Sequence, residues 1–306
     1  MDFTLDIHRE GEIRILQLTD TQTIYSYDNE ITDREKNLYT YIRELVERTN
    51  PDLIVITGDM IYGMFDVQGT AQLELNSLMD SFGIPWAPVY GNHDYESDMG
   101  QEWLNEQYRN AKHTLYAKGD IIGDSHYTIG IRQNGEYIRE LCIIDSGAWT
   151  RLKQTLQEEQ KEWILAHAGE NGLPTSVFYH IPTEDFQHAA IGAGYQDGPD
   201  TKDHKTTFEI GVDIPAKNGD FGKKGKPFGC LYGCTLLPVF KQCCVDSVFA
   251  GDKHEINTSI LWEGIRFTMG LKTGTYDSHD KNALGGTLIR LNGRDFTVEH
   301  QYCEKR

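Results

Sequence analysis

The sequence has little positive charge. Its 306 residues include 29 lysines and arginines against 47 aspartates and glutamates, which gives a formal net charge of −18. Such a chain lacks the basic surface that binds nucleic acids through their phosphates, so we expect no nucleic-acid partner. The one short cluster of cations in the central part of the chain is too small to line the channel that a nuclease needs; it consists of Lys223, Lys224 and Lys226.

Long hydrophobic runs are also missing. No segment approaches the ~20 consecutive apolar residues of a membrane-spanning helix. Residues 1–6 have neither the basic start nor the apolar core of a signal peptide. We therefore expect no membrane association and a cytoplasmic location. Hydrophobic residues make up 39% of the chain, which is enough for a sizeable core.

Cysteine is scarce, and four of the six cysteines lie within residues 230–244. This spacing leaves three interpretations: a zinc site, disulfides in a secreted protein, or buried free thiols. The apolar neighbours favour free thiols. The four residues concerned are Cys230, Cys234, Cys243 and Cys244.

What the sequence does contain is a repeated pairing of an apolar strand with polar residues at its end. Residues 86–90 are a predicted buried strand, after which Gly91 is expected to allow a sharp turn. The next three residues offer an amide, an imidazole and a carboxylate: Asn92, His93 and Asp94. Four more predicted strands, at 13–18, 53–57, 176–179 and 247–250, lead into Asp20, Asp59, His180 and the pair Asp252 and His254. Ligands gather outside the carboxyl ends of strands in layered α/β folds, so these side chains are expected to share one crevice.

The intervening segments predict helices that alternate with these strands. The amphipathic helices are predicted at 33–50, 68–82, 101–110 and 156–168. The first of them forms a βαβ unit with its neighbours, so Asp20 and Asp59 should emerge at the same sheet edge. Because the motifs run from end to end, residues 1–306 are predicted to form a single domain. Periodicity fades over about 182–228, and we interpret this irregular insert as a lid or substrate-selecting wall.

Taken in order, these motifs resemble those of the calcineurin-like metallophosphoesterases, and the chain is most similar to their purple-acid-phosphatase-like branch. The resemblance covers nearly the whole chain, and Gly-Asn-His-Asp after an apolar strand is its most specific element. It implies a four-layer α/β fold in which two mixed β-sheets form a sandwich flanked by α-helices. It also implies a hydrolase with two metal ions, which activate a hydroxide to cleave a phosphomonoester or a small phosphodiester.

The resemblance further implies a role for each site residue. One metal ion is expected to bind Asp20, Asp59 and His254. The other is expected to bind Asp59, Asn92, His180 and Asp252, with Asp59 bridging the pair. His93 is expected to contact the phosphate and assist the leaving group, and Asp94 to orient the His93 ring.

Three positions set this chain apart from the common family pattern. Gln22 and Asp252 stand where many members carry histidine ligands, and Gln22 is not expected to bind metal. Tyr62 matches the tyrosine of purple acid phosphatases that binds iron; the alternative is a packed aromatic ring. Our hypothesis is that the first site holds iron beside Tyr62 and that the carboxylate of Asp252 favours manganese, zinc or magnesium in the second. The replaced histidines favour one rival interpretation, a non-catalytic phosphate- or protein-binding module with a degenerate metal site.

Overall fold

The computed structural model describes residues 1–25, 33–147, 156–193, 196–200, 206–209, 219–222, 227–230, 234–280 and 282–304. Within these ranges the strands are β1 (Phe3–Ile7), β2 (Ile13–Leu18), β3 (Leu53–Thr57), β4 (Trp86–Val89), β5 (His126–Gln133), β6 (Glu136–Ile144), β7 (Thr175–Phe178), β8 (Gln196–Asp200), β9 (Thr206–Glu209), β10 (Pro227–Cys230), β11 (Val245–Ala250), β12 (Ser259–Trp262), β13 (Ile265–Met269), β14 (Gly285–Asn292) and β15 (Asp295–Tyr302). The α-helices are α1 (Asp33–Thr49), α2 (Thr70–Ser81), α3 (Gln101–Asn110), α4 (Glu158–His167), α5 (Glu184–Gly192) and α6 (Leu237–Phe240).

Two mixed sheets make up the body of the fold. The larger has the strand order β1-β5-β6-β7-β11-β13-β12, and the smaller has the order β15-β14-β2-β3-β4. Strands β2, β3 and β4 are parallel neighbours in the smaller sheet, and β6, β7 and β11 are parallel neighbours in the larger one. Helices flank the sheets, as the sequence predicted, and the four-layer α/β fold is confirmed.

The parallel strands are buried on both faces. All five residues of β3 are buried, and its sequence Leu-Ile-Val-Ile-Thr is a continuous apolar run rather than an alternation. Such runs are typical of strands covered on both sides. On α1, the side chains of Leu38, Ile42 and Leu45 form the stripe that faces the core. The strand ends at the carboxyl edge are therefore held by a packed core.

The described parts of the segment 182–228 contain more secondary structure than its weak periodicity predicted. Helix α5 packs on β12 and β13, with Phe186, Ala189 and Ala190 buried. The buried carboxylate of Asp185 accepts a hydrogen bond from the backbone N–H of Leu236 at 2.6 Å and another from a neighbouring hydroxyl. Strands β8, β9 and β10 form a separate three-stranded sheet. A nine-residue helix is too short to produce a clear period, which explains the difference. The cluster at 223–226 lies outside the described residues.

The described cysteines are free thiols: Cys142, Cys234, Cys243, Cys244 and Cys303. Among the clustered cysteines, Cys234 is buried, as the interpretation of buried free thiols requires, whereas Cys243 is partly buried and Cys244 is exposed. The side chain of Cys230 lies outside the described part of the chain. Of the helices that the structure describes, none has the length and apolar composition that a bilayer crossing requires.

Candidate metal centre

The carboxyl ends of strands from both sheets converge on one group of buried side chains. Asp20 and Asp59 follow β2 and β3 of the smaller sheet, while His180 follows β7 of the larger sheet. Among the described residues, one ligand atom from each of these three side chains lies within 4.8 Å of the others. All three are at most 1% exposed. The side chains thus meet between the two sheets, as the pattern of strand ends led us to expect.

The backbone at the converging aspartates has an unusual conformation. The φ angles of Asp20, Asp59 and Asp252 are 50°, 50° and 65°. This left-handed region is uncommon for residues other than glycine. Backbone strain of this kind clusters at functional sites, where the surrounding structure enforces it. Three such aspartates at one sheet junction therefore indicate a site rather than ordinary strand ends.

Two glycines allow these segments to approach closely. A Cβ atom at Gly91 would lie 2.2 Å from the backbone nitrogen of Asp59, and one at Gly58 would lie 2.6 Å from the His180 ring. Gly58 also has a φ of 82°, whereas Gly91 does not adopt the left-handed conformation. Gly91 is therefore required for close packing on Asp59, and not for the sharp turn that we predicted from the sequence.

Two histidines are held in the tautomer that suits a metal ligand. The Nδ1–H of His180 donates to the carbonyl oxygen of Thr57 at 2.7 Å. The Nδ1–H of His254 donates to the carbonyl oxygen of Ser278 at 2.8 Å. Such hydrogen bonds leave the Nε2 lone pair of a neutral imidazole available for a metal.

The Nε2 atoms of both histidines face carboxylate oxygens. His180 Nε2 lies 3.3 Å from Asp59 Oδ1. His254 Nε2 lies 3.1 Å from Asp20 Oδ1. Two hydrogen-bond acceptors this close need a proton or a metal cation between them. The buried atoms without a hydrogen-bond partner in the described part of the chain include His180 Nε2 and Asn92 Oδ1, and a bound cation would satisfy both.

Charge pairing holds these groups in their ionised forms. Burial lowers the pKa of His180, but the carboxylates of Asp59 and Asp20 outweigh it and leave the pKa well above its ordinary value. Burial raises the pKa of Asp20, but His254 and His180 outweigh it and leave the pKa below its ordinary value. A metal ion at this site would therefore replace protons, and its affinity should rise with pH.

His93 lies beside this cluster at the edge of the cleft, where its backbone N–H donates to Asp59 Oδ1 at 2.8 Å. Its side-chain Nδ1 is 2.7 Å from Glu96 Oε2, so Glu96 fixes the ring and leaves Nε2 facing the site. The prediction that Asp94 orients His93 is wrong, because Glu96 holds that position. Glu96 is three residues after His93, and this spacing within a tight turn was the available sequence signal.

Asp94 instead joins two loops of the site. Its Oδ1 accepts hydrogen bonds from the backbone N–H groups of Met60 and Ile61, at 2.9 and 3.1 Å. Its Oδ2 accepts another from Gly91 at 2.7 Å. Burial, together with the nearby Asp59 carboxylate, raises the pKa of Asp94 to about 7. Asp94 therefore fixes the segment after Asp59 against the segment that carries Asn92, and we assign it no contact with substrate.

An open cleft of about 320 Å³ lies over the cluster. Its size suits a small molecule. The residues that line it come from four loops: Asp59, Asn92, His93, Asp252, Lys253, His254, Glu255, Ile256, Asp277 and Ser278.

A family model described as calcineurin-like phosphoesterase matches residues 13–255. This chain belongs to the calcineurin-like phosphoesterase family. It is 24% identical over 230 residues to a probable inactive purple acid phosphatase 14 of Arabidopsis thaliana, and the match covers 60% of this chain and 56% of that protein. It is also 24% identical over 207 residues to phosphatase DCR2 of Saccharomyces cerevisiae, covering 58% of this chain and 36% of that one. The chain thus spans about half or less of the length of these relatives.

Comparison with solved structures agrees at the level of the fold. A dimetal phosphatase from Danio rerio superimposes with a TM-score of 0.58 at 13% identity, covering 96% of this chain and 97% of that one. The purple-acid-phosphatase-like assignment made from the sequence is confirmed by the relatives. Three site residues distinguish this chain from the common pattern of the calcineurin-like family: Tyr62, Gln22 and Asp252.

Tyr62 packs face to face on His93. The ring centroids are 3.9 Å apart at an interplanar angle of 26°. Phe65 and Tyr276 surround Tyr62 at centroid distances of 5.2 and 5.3 Å. Burial and the nearby Asp277 carboxylate raise the pKa of the Tyr62 phenol, so it is neutral unless a cation binds it. The aromatic packing is therefore established, and the iron-ligand role of Tyr62 stays a prediction.

Gln22 lies fully buried inside the site. Its Nε2 is 3.4 Å from Asp59 Oδ2, and its Oε1 accepts a hydrogen bond from Lys272 Nζ at 2.5 Å. Lys272 also donates to the backbone carbonyl of Asp20 at 3.1 Å. Burial lowers the pKa of Lys272 to about 8, so its amine is still mostly protonated at neutral pH. Sequence reasoning missed Lys272, because a residue 250 positions from Gln22 leaves no local signal.

Asp252 lies in the site, although it replaces a histidine. Its Oδ1 is 4.0 Å from His180 Nε2, and its Oδ2 forms an ion pair with Lys253 Nζ at 2.5 Å. Lys253 is the second lysine that sequence reasoning missed. The two lysines change the charge of the site: with Asp20 and Asp59, three carboxylates and two ammonium groups sum to −1 rather than −3.

Proposed function

We propose that this chain is a metal-dependent phosphohydrolase that acts on a phosphomonoester or a small phosphodiester. The observation that supports it most strongly is the pair of imidazole Nε2 atoms of His180 and His254, which face carboxylate oxygens at 3.3 and 3.1 Å. Both Nδ1 atoms are already bound to backbone carbonyls. This donor set fits divalent or trivalent cations that accept nitrogen and oxygen ligands.

The residues that would hold two metal ions are Asp20, Asp59, Asn92, His180, Asp252 and His254. When bound, such ions supply Lewis-acid stabilisation of the phosphoryl oxygens and lower the pKa of water. The protein positions the other groups. His93 presents Nε2 to the cleft, and its pKa is raised, because Glu96 and Asp59 outweigh the effect of burial. We propose that the protonated His93 ring donates a proton to the leaving-group oxygen.

The charges at the rim of the cleft favour a small substrate. Glu255, Asp277 and Asp252 line the cleft, and Lys253 is the one lysine among the described lining residues. A polyanion such as a nucleic acid would meet these carboxylates beyond its scissile phosphate. One phosphate group, by contrast, needs only the metal positions and Lys253. We therefore propose a small phosphate ester, and neither a nucleic acid nor a membrane lipid surface, as the partner.

The metal identities are part of the proposal. Iron in the first site would use Tyr62 as a phenolate ligand, and Asp252 would favour manganese, with zinc or magnesium as alternatives, in the second. Iron is supported by the position of Tyr62 beside His93 and by the Gly-Asp-x-x-Tyr spacing.

A non-catalytic phosphate- or protein-binding module is the second candidate. Two observations favour it. Gln22 directs an N–H group rather than a ligand atom toward Asp59, and the Arabidopsis relative is named a probable inactive phosphatase. The two candidates differ in turnover, and not in the fold.

The two candidate functions can be distinguished by measuring turnover after metal-free protein has been reloaded with metal. Protein stripped with a chelator is supplied with manganese, iron or zinc and assayed with an aryl phosphate and a bis-aryl phosphate, with Asp59→Asn as the matched control. The proposal predicts ester cleavage that depends on the metal and is absent in the control. Metal retention without cleavage of either ester, or failure to retain metal, would instead support the binding module.

A further inference from the structure

Gln22 bridges a buried cation and a buried anion. Lys272 Nζ is 2.5 Å from Gln22 Oε1, while Asp59 Oδ2 and His254 Nε2 are each 3.4 Å from Gln22 Nε2. Gln22 and Lys272 are at most 1% exposed, and Gln22 is held with a left-handed φ of 44°. The contact joins segments that are 250 residues apart in sequence, so it is a feature of the folded site alone.

The chemistry at both ends fixes the orientation of the Gln22 amide. An ammonium group only donates hydrogen bonds, so the amide oxygen must face Lys272. A carboxylate only accepts them, so the amide N–H must face Asp59. A rotation of the amide by about 180° would place oxygen against carboxylate and N–H against ammonium. Both contacts would then be repulsive in a buried environment, where unpaired polar groups are costly.

We propose that Lys272 is a positioning residue that holds Gln22 with its N–H toward the metal centre. Its amide oxygen, which could bind a metal, is thereby kept out of the ligand set, and Asp59 gains a hydrogen-bond donor. This inference rests on the proposed metal-dependent function. This chain has Gln22 where many family members have a histidine ligand. Gln22 donates a hydrogen bond to Asp59, the predicted bridging carboxylate, and Lys272 adds one positive charge.

Removal of the Lys272 ammonium group is predicted to strengthen metal binding rather than weaken it. In Lys272→Met, the Gln22 oxygen loses its partner and is free to turn into the site as a ligand, and a positive charge next to the metal is removed. Both effects strengthen metal binding, so the dissociation constant for Mn²⁺ should fall by about tenfold or more. A merely structural role for Lys272 predicts weaker or unchanged Mn²⁺ binding.

A double-mutant cycle separates orientation from charge. Gln22→Leu removes both amide atoms, so Lys272→Met in that background changes the charge alone. Titration calorimetry of metal-free protein with Mn²⁺ gives the dissociation constants for the wild type, the two single variants and the double variant. We expect the gain from Lys272→Met to be at least about threefold larger with Gln22 present than in the Gln22→Leu background. An equal gain in both backgrounds would overturn the orientation argument.

Gln22→Glu provides a second test in case Lys272→Met fails to fold. The new carboxylate keeps its contact with Lys272 but faces Asp59 with an oxygen. The metal-free variant should therefore melt at a lower temperature than the wild type, and Mn²⁺ should raise its melting temperature by more than it raises that of the wild type. If neither melting temperature differs from the wild type, the assigned orientation is wrong. If the wild type itself binds no Mn²⁺, the proposed function fails first, and the result is distinguishable from a failure of this inference.

Discussion

The Asp59 carboxylate is predicted to be the group on which metal binding depends most. It is 1% exposed, lies 3.3 Å from His180 Nε2 and accepts hydrogen bonds from His93 and Gln22. Asp59→Asn keeps the shape of the side chain and removes its charge. We expect the loss of metal affinity to be large and the loss of metal-free stability to be small. The pairing with His180 is weakened, but so is the repulsion from Asp20.

The magnitude follows from the charge that is removed. Two unit charges about 4 Å apart, at an effective dielectric constant near 20, interact by roughly 4 kcal/mol, and Mn²⁺ carries two such charges. Allowing for relaxation, a loss of about 2.7 kcal/mol corresponds to about a hundredfold weaker binding. At a metal concentration about 100 times the wild-type dissociation constant, bound metal stabilises the wild type by about 2.7 kcal/mol. The same concentration would stabilise the variant by only about 0.4 kcal/mol.

Thermal unfolding in the presence of a chelator measures the metal-free stability, and the same experiment with Mn²⁺ measures the stabilisation by bound metal. The matched control is Asp33→Asn, which removes a carboxylate whose side chain is 96% exposed at the start of α1. The control should show the wild-type metal effect. If Asp59→Asn also kept the full stabilisation by Mn²⁺, the assignment of Asp59 as a metal-bridging ligand would be refuted.

Three further predictions concern other side chains. His93→Ala should lower kcat for an aryl phosphate by about 10²–10⁴-fold and leave metal content unchanged, because His93 acts on the leaving group. Tyr62→Phe should abolish the visible absorption band of the iron-loaded protein, because a phenolate gives iron its charge-transfer colour. Burial lowers the pKa of His126 to about 4, against a hydrogen bond to Ile122 that raises it, so His126 is neutral in the fold. The unfolded chain takes up this proton first, and stability should fall by about 3 kcal/mol as the pH falls from about 6.5 to 4. In His126→Gln, urea unfolding at about pH 7 and at about pH 4.5 should show a smaller difference.

Each of these has a result that contradicts it. Loss of metal together with activity in His93→Ala would assign His93 to metal binding instead. A colourless, fully active zinc protein would remove the case for iron at Tyr62. Equal acid sensitivity of wild type and His126→Gln would show that His126 is not the neutral buried group that its surroundings indicate.

The strand ends could be predicted from the sequence because each is a local pattern. An apolar run marks the strand, and the polar residue after it is positioned by the regular geometry of a parallel sheet. Asp20 and Asp59 are close together for this reason, and His180 joins them because the carboxyl ends of strands from both sheets converge. Resemblance to the family then supplied the roles that spacing alone leaves open.

Residues that act through long-range contacts could not be predicted in this way. Lys272 reaches Gln22 from a distant segment, and its role depends on burial, which the sequence does not encode locally. The family resemblance implied that Asp94 orients His93, whereas the Asp94 side chain accepts hydrogen bonds from the backbone of the neighbouring loop. Helix α5 was missed because its order comes from packing on β12 and β13.

The most direct test of the metal centre is anomalous diffraction from crystals of the protein grown with Mn²⁺. The account predicts two anomalous peaks about 3.5–4 Å apart, with the Asp59 carboxylate between them. One peak should lie beside Asp20 and His254, and the other beside Asn92 and His180. Absence of any peak next to Asp59, in crystals that bind Mn²⁺ elsewhere, would contradict the account.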